Sequence, residues 1–208
     1  MLVAGLLVAA SMVNPADIIV PLQSLGSDGN GLSAGFMIDE THMMTAAHSV
    51  SRVRNTLIAI CGTKKIIIDN DKIVSDPLRD IAVITLDEKC KQKPLKLAKN
   101  NPNPGDDLYA IGCPEEQENC GLMTRGIMSM MQSTPGGLHL VSDLKIWYGN
   151  SGGPVVNSAG ELVGIVIEIK NMSRIGTSRL GVVTEVGSQN YSVITPISEI
   201  ATFLRNYL

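Results

Sequence analysis

Short runs of apolar residues recur along this chain, and turn-forming residues separate them. Many runs are rich in β-branched side chains, which favour the pleated surface of a sheet. Strands at such spacing are typical of sandwiches and barrels and do not fit alternating strand–helix units. We therefore predict an all-β protein. The predicted strands are Asn55–Ile60, Lys64–Ile68, Ile81–Leu86, Leu108–Ile111, Gly121–Met130, Leu138–Val141, Leu162–Ile169 and Gly181–Glu185.

The period of the apolar pattern changes near the C-terminus, after Pro196. Apolar residues then recur on one helical face, and Pro196 suits the first position of a helix. We predict a C-terminal helix packed on the preceding sheet; a frayed tail is the alternative. The apolar stripe consists of Ile197, Ile200, Ala201, Leu204 and Leu208.

The most loop-like stretch is residues 99–107, which are rich in asparagine, proline, glycine and aspartate. It lies near the midpoint of the chain. Because such residues favour turns and loops, we interpret it as a linker between two units of the chain. The expected units are residues 17–100 and 101–208.

The first 13 residues carry no charged side chain and are too short to span a bilayer. They resemble the apolar part of a signal peptide, with cleavage near Ala10 or Ala16, although no basic residues precede them. An ordinary buried first strand is the alternative. With residues 1–16 as a signal, we expect an extracytoplasmic protein, secreted or periplasmic, with no stable membrane span.

Composition narrows the classes of partner and cofactor. The 208 residues have a net charge of −3, 18% charged and 3% aromatic residues, and no basic block with interleaved aromatics, so a nucleic-acid surface is not expected. Four cysteines, Cys61, Cys90, Cys113 and Cys120, fit an exported protein with one or two disulfides. Cys113 and Cys120 flank a short polar loop and are the best candidates for a disulfide bond. No Cys-x-x-Cys occurs and no histidine lies near the cysteines, so a zinc site is not expected.

The strongest chemical motif is Gly149-Asn150-Ser151-Gly152-Gly153-Pro154. Glycines around a serine let backbone N–H groups approach a ligand and leave the hydroxyl exposed. A nucleophile has this setting when neighbouring amides hold the oxyanion of a tetrahedral intermediate. The alternative is a glycine-rich hairpin in which the serine only forms the turn.

The order of residues along the chain selects among the serine nucleophiles. All three histidines, His42, His48 and His139, precede Ser151, which excludes the Ser–acid–His order of α/β-hydrolases. A subtilisin-type order needs an aspartate before the histidine, and no aspartate there has a distinctive setting. The order His–Asp–Ser remains.

Asp80 is the best candidate for the acid of that order. It lies at the start of the apolar run Ile81–Leu86, where an ionised carboxylate is costly to bury unless it is paired. Orienting a histidine would pair it; a surface ion pair with Arg79 is the alternative. The competing acids lie in turn-like polar clusters and are Asp69, Asp71, Asp76 and Asp87.

Four segments together resemble the trypsin-like serine proteases, closest to the bacterial HtrA-like branch without a PDZ domain. They are Ser33–Phe36, Thr45–Val50, Asp80–Val83 and Gly149–Pro154. The resemblance implies two six-stranded antiparallel β-barrels of the chymotrypsin type with a C-terminal α-helix. It also implies a triad of His48, Asp80 and Ser151 in the crevice between the barrels, with an oxyanion hole made by the N–H groups of Gly149 and Ser151. His42 and His139 are then strand histidines without a catalytic role.

The same resemblance places the pocket for the residue before the cleaved bond on two segments, 143–146 and 165–169. The pocket residues are expected to be Asp143, Lys145, Ile167 and Glu168. Lys145 pointing inward would disfavour basic substrates; the alternative is that it faces solvent or pairs with Asp143 or Glu168. We expect a serine endopeptidase that acts on proteins or peptides and needs no metal or organic cofactor. The alternative is a protease-fold binding or structural module with an occluded or inactive site.

Overall fold

The computed structural model describes residues 14–27, 29–51, 55–114, 120–177 and 183–207. Thirteen strands fall within these ranges: β1 Ile19–Gly26, β2 Gly31–Met37, β3 His42–Thr45, β4 Asn55–Cys61, β5 Lys64–Ile68, β6 Ile73–Asp76, β7 Ile81–Thr85, β8 Asp107–Gly112, β9 Leu122–Thr134, β10 Gly137–Ser142, β11 Pro154–Val156, β12 Leu162–Thr177 and β13 Val183–Pro196. The helices are α1 Ala47–Val50 and α2 Ile197–Tyr207, with 3₁₀ turns at Pro15–Asp17 and Asn70–Lys72.

The strands form two antiparallel sheets, one from each half of the chain. Strands β8 to β13 close into a six-stranded barrel in the order β10-β13-β12-β11-β8-β9. Strands β1 to β7 form a seven-stranded sheet in the order β5-β4-β1-β2-β3-β7-β6. The predicted all-β, chymotrypsin-like fold is confirmed. The first half differs from the expected six-stranded barrel, because within the described residues it forms a seven-stranded sheet and only the second half closes into a barrel. The short β6 pairs with the outer edge of β7, from Ile73 opposite Ile84 to Asp76 opposite Ile81.

The predicted strands all fall on strands of the structure, although residues 181–182 of the last one lie outside the described residues. The strand β1, which the sequence pattern did not predict, lies inside the first sheet between β2 and β4. Pro21 interrupts its apolar run. Proline is tolerated here because Pro21 lies just outside the segment Leu22–Gly26 that pairs with β4, so that ladder needs no N–H from it.

The C-terminal helix is also confirmed, with two changes. It begins at Ile197, and Pro196 remains the last residue of β13. Its fully buried residues are Ile197, Ile200 and Phe203; the pattern had not included Phe203. The predicted stripe residue Leu208 lies outside the described residues.

A single apolar cluster joins the two halves. It contains Phe36 and Ile81 from the first sheet, Ile111 and Leu162 from the barrel, and Phe203 from α2, each no more than 1% exposed. Separate clusters fill each half. Because protein interiors are close-packed, this shared cluster fixes how the halves meet, and therefore fixes the crevice between them.

The connection between the halves, residues 86–106, has no strand or helix apart from an isolated bridge of Leu97 to Leu162. Hydrogen bonds join Ala98 N–H to the Leu162 carbonyl and Leu162 N–H to the Lys96 carbonyl. The chain therefore contacts the second barrel shortly before the expected boundary at residues 100 and 101, which stays a prediction.

Two disulfides are present. Cys113 and Cys120 form the expected pair, and Cys61 at the end of β4 is bonded to Cys90 in the connection after β7. The expected signal segment lies mostly outside the described residues; Ala16 belongs to the first 3₁₀ turn. Within the described ranges, none of the helices has the length and apolarity needed to cross a bilayer.

Candidate active site

The loop that carries Ser151 is fixed to both halves of the molecule. The Ser151 carbonyl accepts a hydrogen bond from Ala34 N–H in β2 at 2.8 Å, and Gly152 N–H donates to the Val166 carbonyl in β12 at 2.8 Å. Gly149 and Gly152 have φ angles of 93° and 81°, in the left-handed region that favours glycine. The motif is therefore a tight, anchored turn that leads into β11.

Gly152 allows the loop to lie against the strand that precedes His48. A Cβ atom there would overlap the Thr45 hydroxyl and the Ala34 carbonyl, and would approach the Ala46 nitrogen to 2.8 Å. The buried Thr45 hydroxyl donates to that same carbonyl at 2.7 Å. The absent side chain thus brings the end of β3 against the serine loop.

His48 lies on the short helix α1, which follows β3 directly. Ala47 and Val50 face the core and leave the His48 side chain 47% exposed. Asp80 binds it twice: Oδ1 accepts from the His48 backbone N–H at 2.8 Å, and Oδ2 lies 2.7 Å from Nδ1. With Nδ1 engaged, the other ring nitrogen, Nε2, is left for a reaction partner.

Asp80 has an unusual backbone. Its φ is +55°, and it is the one residue other than glycine with positive φ in the part of the chain that the structure describes. That conformation costs most residues with a Cβ about 1–2 kcal/mol, and aspartate tolerates it better than most, so contacts around Asp80 have only a modest cost to offset. The alternative pairing with Arg79 is not observed, because the Arg79 guanidinium contacts Asp76 and Glu199.

His48 and Ser151 line one cleft of about 580 Å³ between the two halves. No hydrogen bond joins the Ser151 hydroxyl to His48. Such bonds are often long in the absence of substrate and tighten on binding. The other lining residues are Ser24, Gly31, Leu32, Ser33 and Ser49 from the first half, and Ile146, Trp147, Tyr148, Gly149, Val166, Ile167, Glu168 and Ile169 from the second.

The candidate oxyanion donors are the backbone N–H groups of Gly149 and Ser151. Neither makes a hydrogen bond within the described residues, whereas the intervening Asn150 N–H donates to the Trp147 carbonyl at 3.1 Å. The Asn150 side chain is buried and packs against Gly112, where a Cβ would overlap its amide. Asn150 therefore fixes the turn while its two neighbours keep amides available.

The expected specificity residues divide between two cavities. Ile167 and Glu168 line the cleft beside Ser151, whereas Asp143 and Lys145 line a neighbouring cavity of about 310 Å³. Lys145 is exposed and pairs with neither expected acid. The Asp143 carboxylate instead accepts from Ile127 N–H at 2.7 Å, and Glu168 lies 3.7 Å from Lys170.

Sequence reasoning missed the aromatic residues of the cleft. Trp147 and Tyr148 line it and are 45% and 81% exposed. Two exposed aromatics directly before the serine motif are the signal that could have identified them.

The other two histidines are not among the residues that line the cleft. His42 Nδ1 lies 2.7 Å from Asp39 Oδ2 in the β2–β3 turn. His139 lies on β10, where burial and, to a smaller extent, the charge of Lys170 lower its pKa.

Comparison with known proteins identifies the family. Residues 33–165, more than half of the chain, match the trypsin-like peptidase domain. The chain belongs to the trypsin-like peptidase family. The matched span contains His48, Asp80 and Ser151 of this trypsin-like peptidase.

Individual relatives agree with that assignment. The chain is 33% identical over 142 residues to serine protease HTRA1 of Xenopus laevis, covering 64% of this chain and 30% of the relative. It is 27% identical over 188 residues to the Do-like serine protease HtrA of Lactobacillus helveticus, covering 84% and 43%. This trypsin-like peptidase thus spans less than half the length of these relatives.

Solved structures support the fold. The active form of a protease from M. tuberculosis superimposes with a TM-score of 0.70 at 20% identity, covering 90% of this chain and 79% of that one. A serine endoprotease from Yersinia pestis gives a TM-score of 0.70 at 23% identity, covering 93% and 63%. At these identities the likeness shows the chymotrypsin-like fold of the trypsin-like peptidase.

Gly152→Ala tests the contact between the serine loop and β3. We expect a loss of a few kcal/mol in the free energy of unfolding, because the added methyl group would overlap Ala34 and Thr45. In addition, the φ of +81° at position 152 is unfavourable for alanine. Gly105→Ala is the matched control, because Gly105 has φ +91° but no atom near the added Cβ, and should cost about 1 kcal/mol. Urea denaturation compares the two. Equal costs would mean that the tight contact does not matter.

Proposed function

We propose that this trypsin-like peptidase is a serine endopeptidase that hydrolyses peptide bonds of proteins or peptides through an acyl-enzyme on Ser151. The observation that carries the proposal is the double hydrogen bonding of Asp80 to His48, at 2.8 and 2.7 Å, in the cleft that His48 shares with Ser151. This combination supplies a nucleophile, a base and a group that orients the base.

The first step of the proposed reaction is attack by Ser151 Oγ on the substrate carbonyl. His48 Nε2 takes the hydroxyl proton as the Oγ–C bond forms. Asp80 keeps the Nδ1 nitrogen protonated and stabilises the imidazolium. Because Asp80 also accepts from the His48 backbone, the ring and its main chain are held by a single carboxylate.

The second step is collapse of the tetrahedral intermediate. The Gly149 and Ser151 N–H groups stabilise the oxyanion, and removing one such donor in other enzymes costs about 3–4 kcal/mol of transition-state stabilisation. His48 returns its proton to the leaving amine as the C–N bond breaks. Water, activated by the same imidazole, then attacks the acyl-enzyme and releases the carboxylate product.

The cleft indicates the class of substrate. Among the residues that the second half contributes to the cleft lining are four aliphatic ones, Ile146, Val166, Ile167 and Ile169. Apolar walls favour an apolar side chain, whose burial contributes roughly 25 cal/mol per Å². We therefore propose that the residue before the cleaved bond is apolar, with Lys145 outside its pocket.

The proposed location is extracytoplasmic. Four of four cysteines are paired in two disulfides, which persist in oxidising compartments and are rare in the cytosol. This location would expose the cleft to exported proteins. A removable signal in residues 1–16 belongs to the same proposal.

A binding or structural role with an inactive site is the second candidate. The observation that favours it is that His48 and Ser151 share no hydrogen bond, so the nucleophile is not engaged by its base in this structure. The two candidates differ in the reactivity of the serine.

Labelling with a fluorophosphonate probe separates the two candidates. We expect the wild-type chain to be labelled and Ser151→Ala not to be, because the probe reacts with an activated serine hydroxyl. Asp80→Asn should retain the fold and lower kcat by about 10⁴-fold, since the imidazole would adopt the wrong tautomer. Ser158→Ala, on an exposed turn after β11, is the control and should label normally. An unlabelled wild type would favour the binding role.

A peptide library profile tests the substrate class. We expect cleavage chiefly after apolar residues, with the same preference in Lys145→Ala, because Lys145 lines the neighbouring cavity. Dominant cleavage after arginine or lysine would contradict the apolar pocket. An acidic preference that disappears in Lys145→Ala would instead show that the lysine turns inward.

A further inference from the structure

We infer that Arg79, bound between Asp76 and Glu199, is a positioning residue that holds Asp80 in its orientation towards His48. We define these three residues as the Arg79 clamp. The inference rests on the triad of the proposed function. If it holds, two elements of the second half of the chain, α2 and β10, help to orient the Asp80 carboxylate of the first half.

The clamp begins with the turn that precedes Asp80. Asp76 ends β6, and its Oδ1 accepts hydrogen bonds from the backbone N–H groups of Leu78 and Arg79 at 3.0 and 3.1 Å. These bonds close the turn of residues 77–80. The turn delivers the chain into Asp80 at its left-handed φ, immediately before β7.

The guanidinium of Arg79 connects that turn to the second half. Nη1 donates to Asp76 Oδ2 at 2.7 Å, and Nε donates to Glu199 Oε2 at 2.7 Å. Glu199 lies in the first turn of α2, and its Oε1 accepts from the Leu138 N–H of β10 at 3.0 Å. One side chain thus links the β6–β7 turn to α2 and, through Glu199, to β10.

The electrostatics of the clamp agree with this geometry. The Asp76 and Glu199 side chains are only 13% and 14% exposed, so charge-assisted bonds to them are shielded from water. Burial alone would raise the pKa of Asp76, but its bonds from Arg79 and Leu78 outweigh burial and lower that pKa. Hydrogen bonds to Glu199 and Asp76 raise the pKa of Arg79.

The second half also holds the backbone of the turn. The Thr195 hydroxyl, on β13, donates to the Arg79 carbonyl at 2.8 Å. That carbonyl belongs to the peptide unit joining Arg79 to Asp80. In addition, a Cβ on Gly136, between β9 and β10, would approach the Leu78 carbonyl to 2.5 Å, so the two turns are in close contact. The peptide before Asp80 is therefore fixed from outside its own sheet.

These contacts explain how Asp80 retains a conformation that is unfavourable for a residue with a Cβ. Without them, the backbone would relax towards ordinary φ values. That relaxation would rotate the carboxylate that now binds both the His48 backbone and Nδ1. Displacements of about 1 Å in a catalytic constellation can cost roughly 10²-fold in rate.

The clamp is tested with Arg79→Ala, Glu199→Ala and the double variant, using a cleavable peptide and active-site titration. We expect kcat per titrated site to fall about 10²-fold with KM changed less than about twofold. The double variant should lose no more than the larger single loss, because both substitutions break one linkage. Arg79→Lys should recover part of the loss, since lysine keeps the charge but lacks the two-pronged geometry.

The matched control is the ion pair of Arg125 and Asp107 in the barrel of the second half, which is held by bonds of 2.9 Å and is more exposed, at 64% and 34%. Arg125→Ala should leave kcat per site unchanged. Thr195→Val leaves the guanidinium intact and should lower kcat by a smaller factor, by freeing the Arg79 carbonyl. It also keeps the test open if the charge variants fail to fold.

A proton NMR signature separates failure of the clamp from failure of the proposed function. In a Ser151→Ala background, the His48 Nδ1 proton bonded to Asp80 should give a downfield signal, and adding Arg79→Ala should abolish or broaden it, whether or not the chain is a protease. Unchanged kcat per site in Arg79→Ala and Glu199→Ala, or an unchanged downfield signal, would overturn the inference. An unlabelled wild type with a signal that depends on Arg79 would reject the protease and keep the clamp.

Discussion

The contact on which the site depends is between the carboxylate of Asp80 and His48. Both oxygens are used, one on the imidazole and one on the backbone N–H of the same residue. The contact joins α1 to the residue before β7, across a sequence separation of 32 between His48 and Asp80, and Asp80 makes it from a left-handed backbone.

The remainder of the molecule brings Ser151 to this pair. The apolar cluster shared by the sheet, the barrel and α2 fixes the two halves against each other. Backbone bonds then tie the serine loop to β2 on one side and β12 on the other. Because residue 152 is glycine, no side chain keeps the serine loop away from β3. Packing on both sides therefore forms the crevice, and both halves hold the loop that carries Ser151.

Much of this organisation could be predicted from the sequence because its signals are local. The β-branched runs predicted the strand positions, and the order of the histidine, aspartate and serine motifs indicated the family.

Local sequence signals failed where the interacting residues are far apart in the chain. Strand β1 contains Pro21, which reads as a strand breaker unless its position outside the β4 ladder is known. Arg79 looked like a partner for Asp80, but its partner Glu199 lies 120 residues away. The direction of Lys145 could not be predicted because residues 143–147 belong to no strand or helix whose period would fix it.

We expect His48, held by Asp80, and the amides of Gly149 and Ser151 to converge on the Ser151 hydroxyl. The decisive measurement is an experimental structure of the chain after reaction with a fluorophosphonate. It should show a phosphonyl group on Ser151 Oγ, its oxygen within about 3 Å of both amides, and Asp80 still bonded to His48 Nδ1. A modified serine elsewhere, or an imidazole turned away from both Asp80 and Ser151, would contradict it.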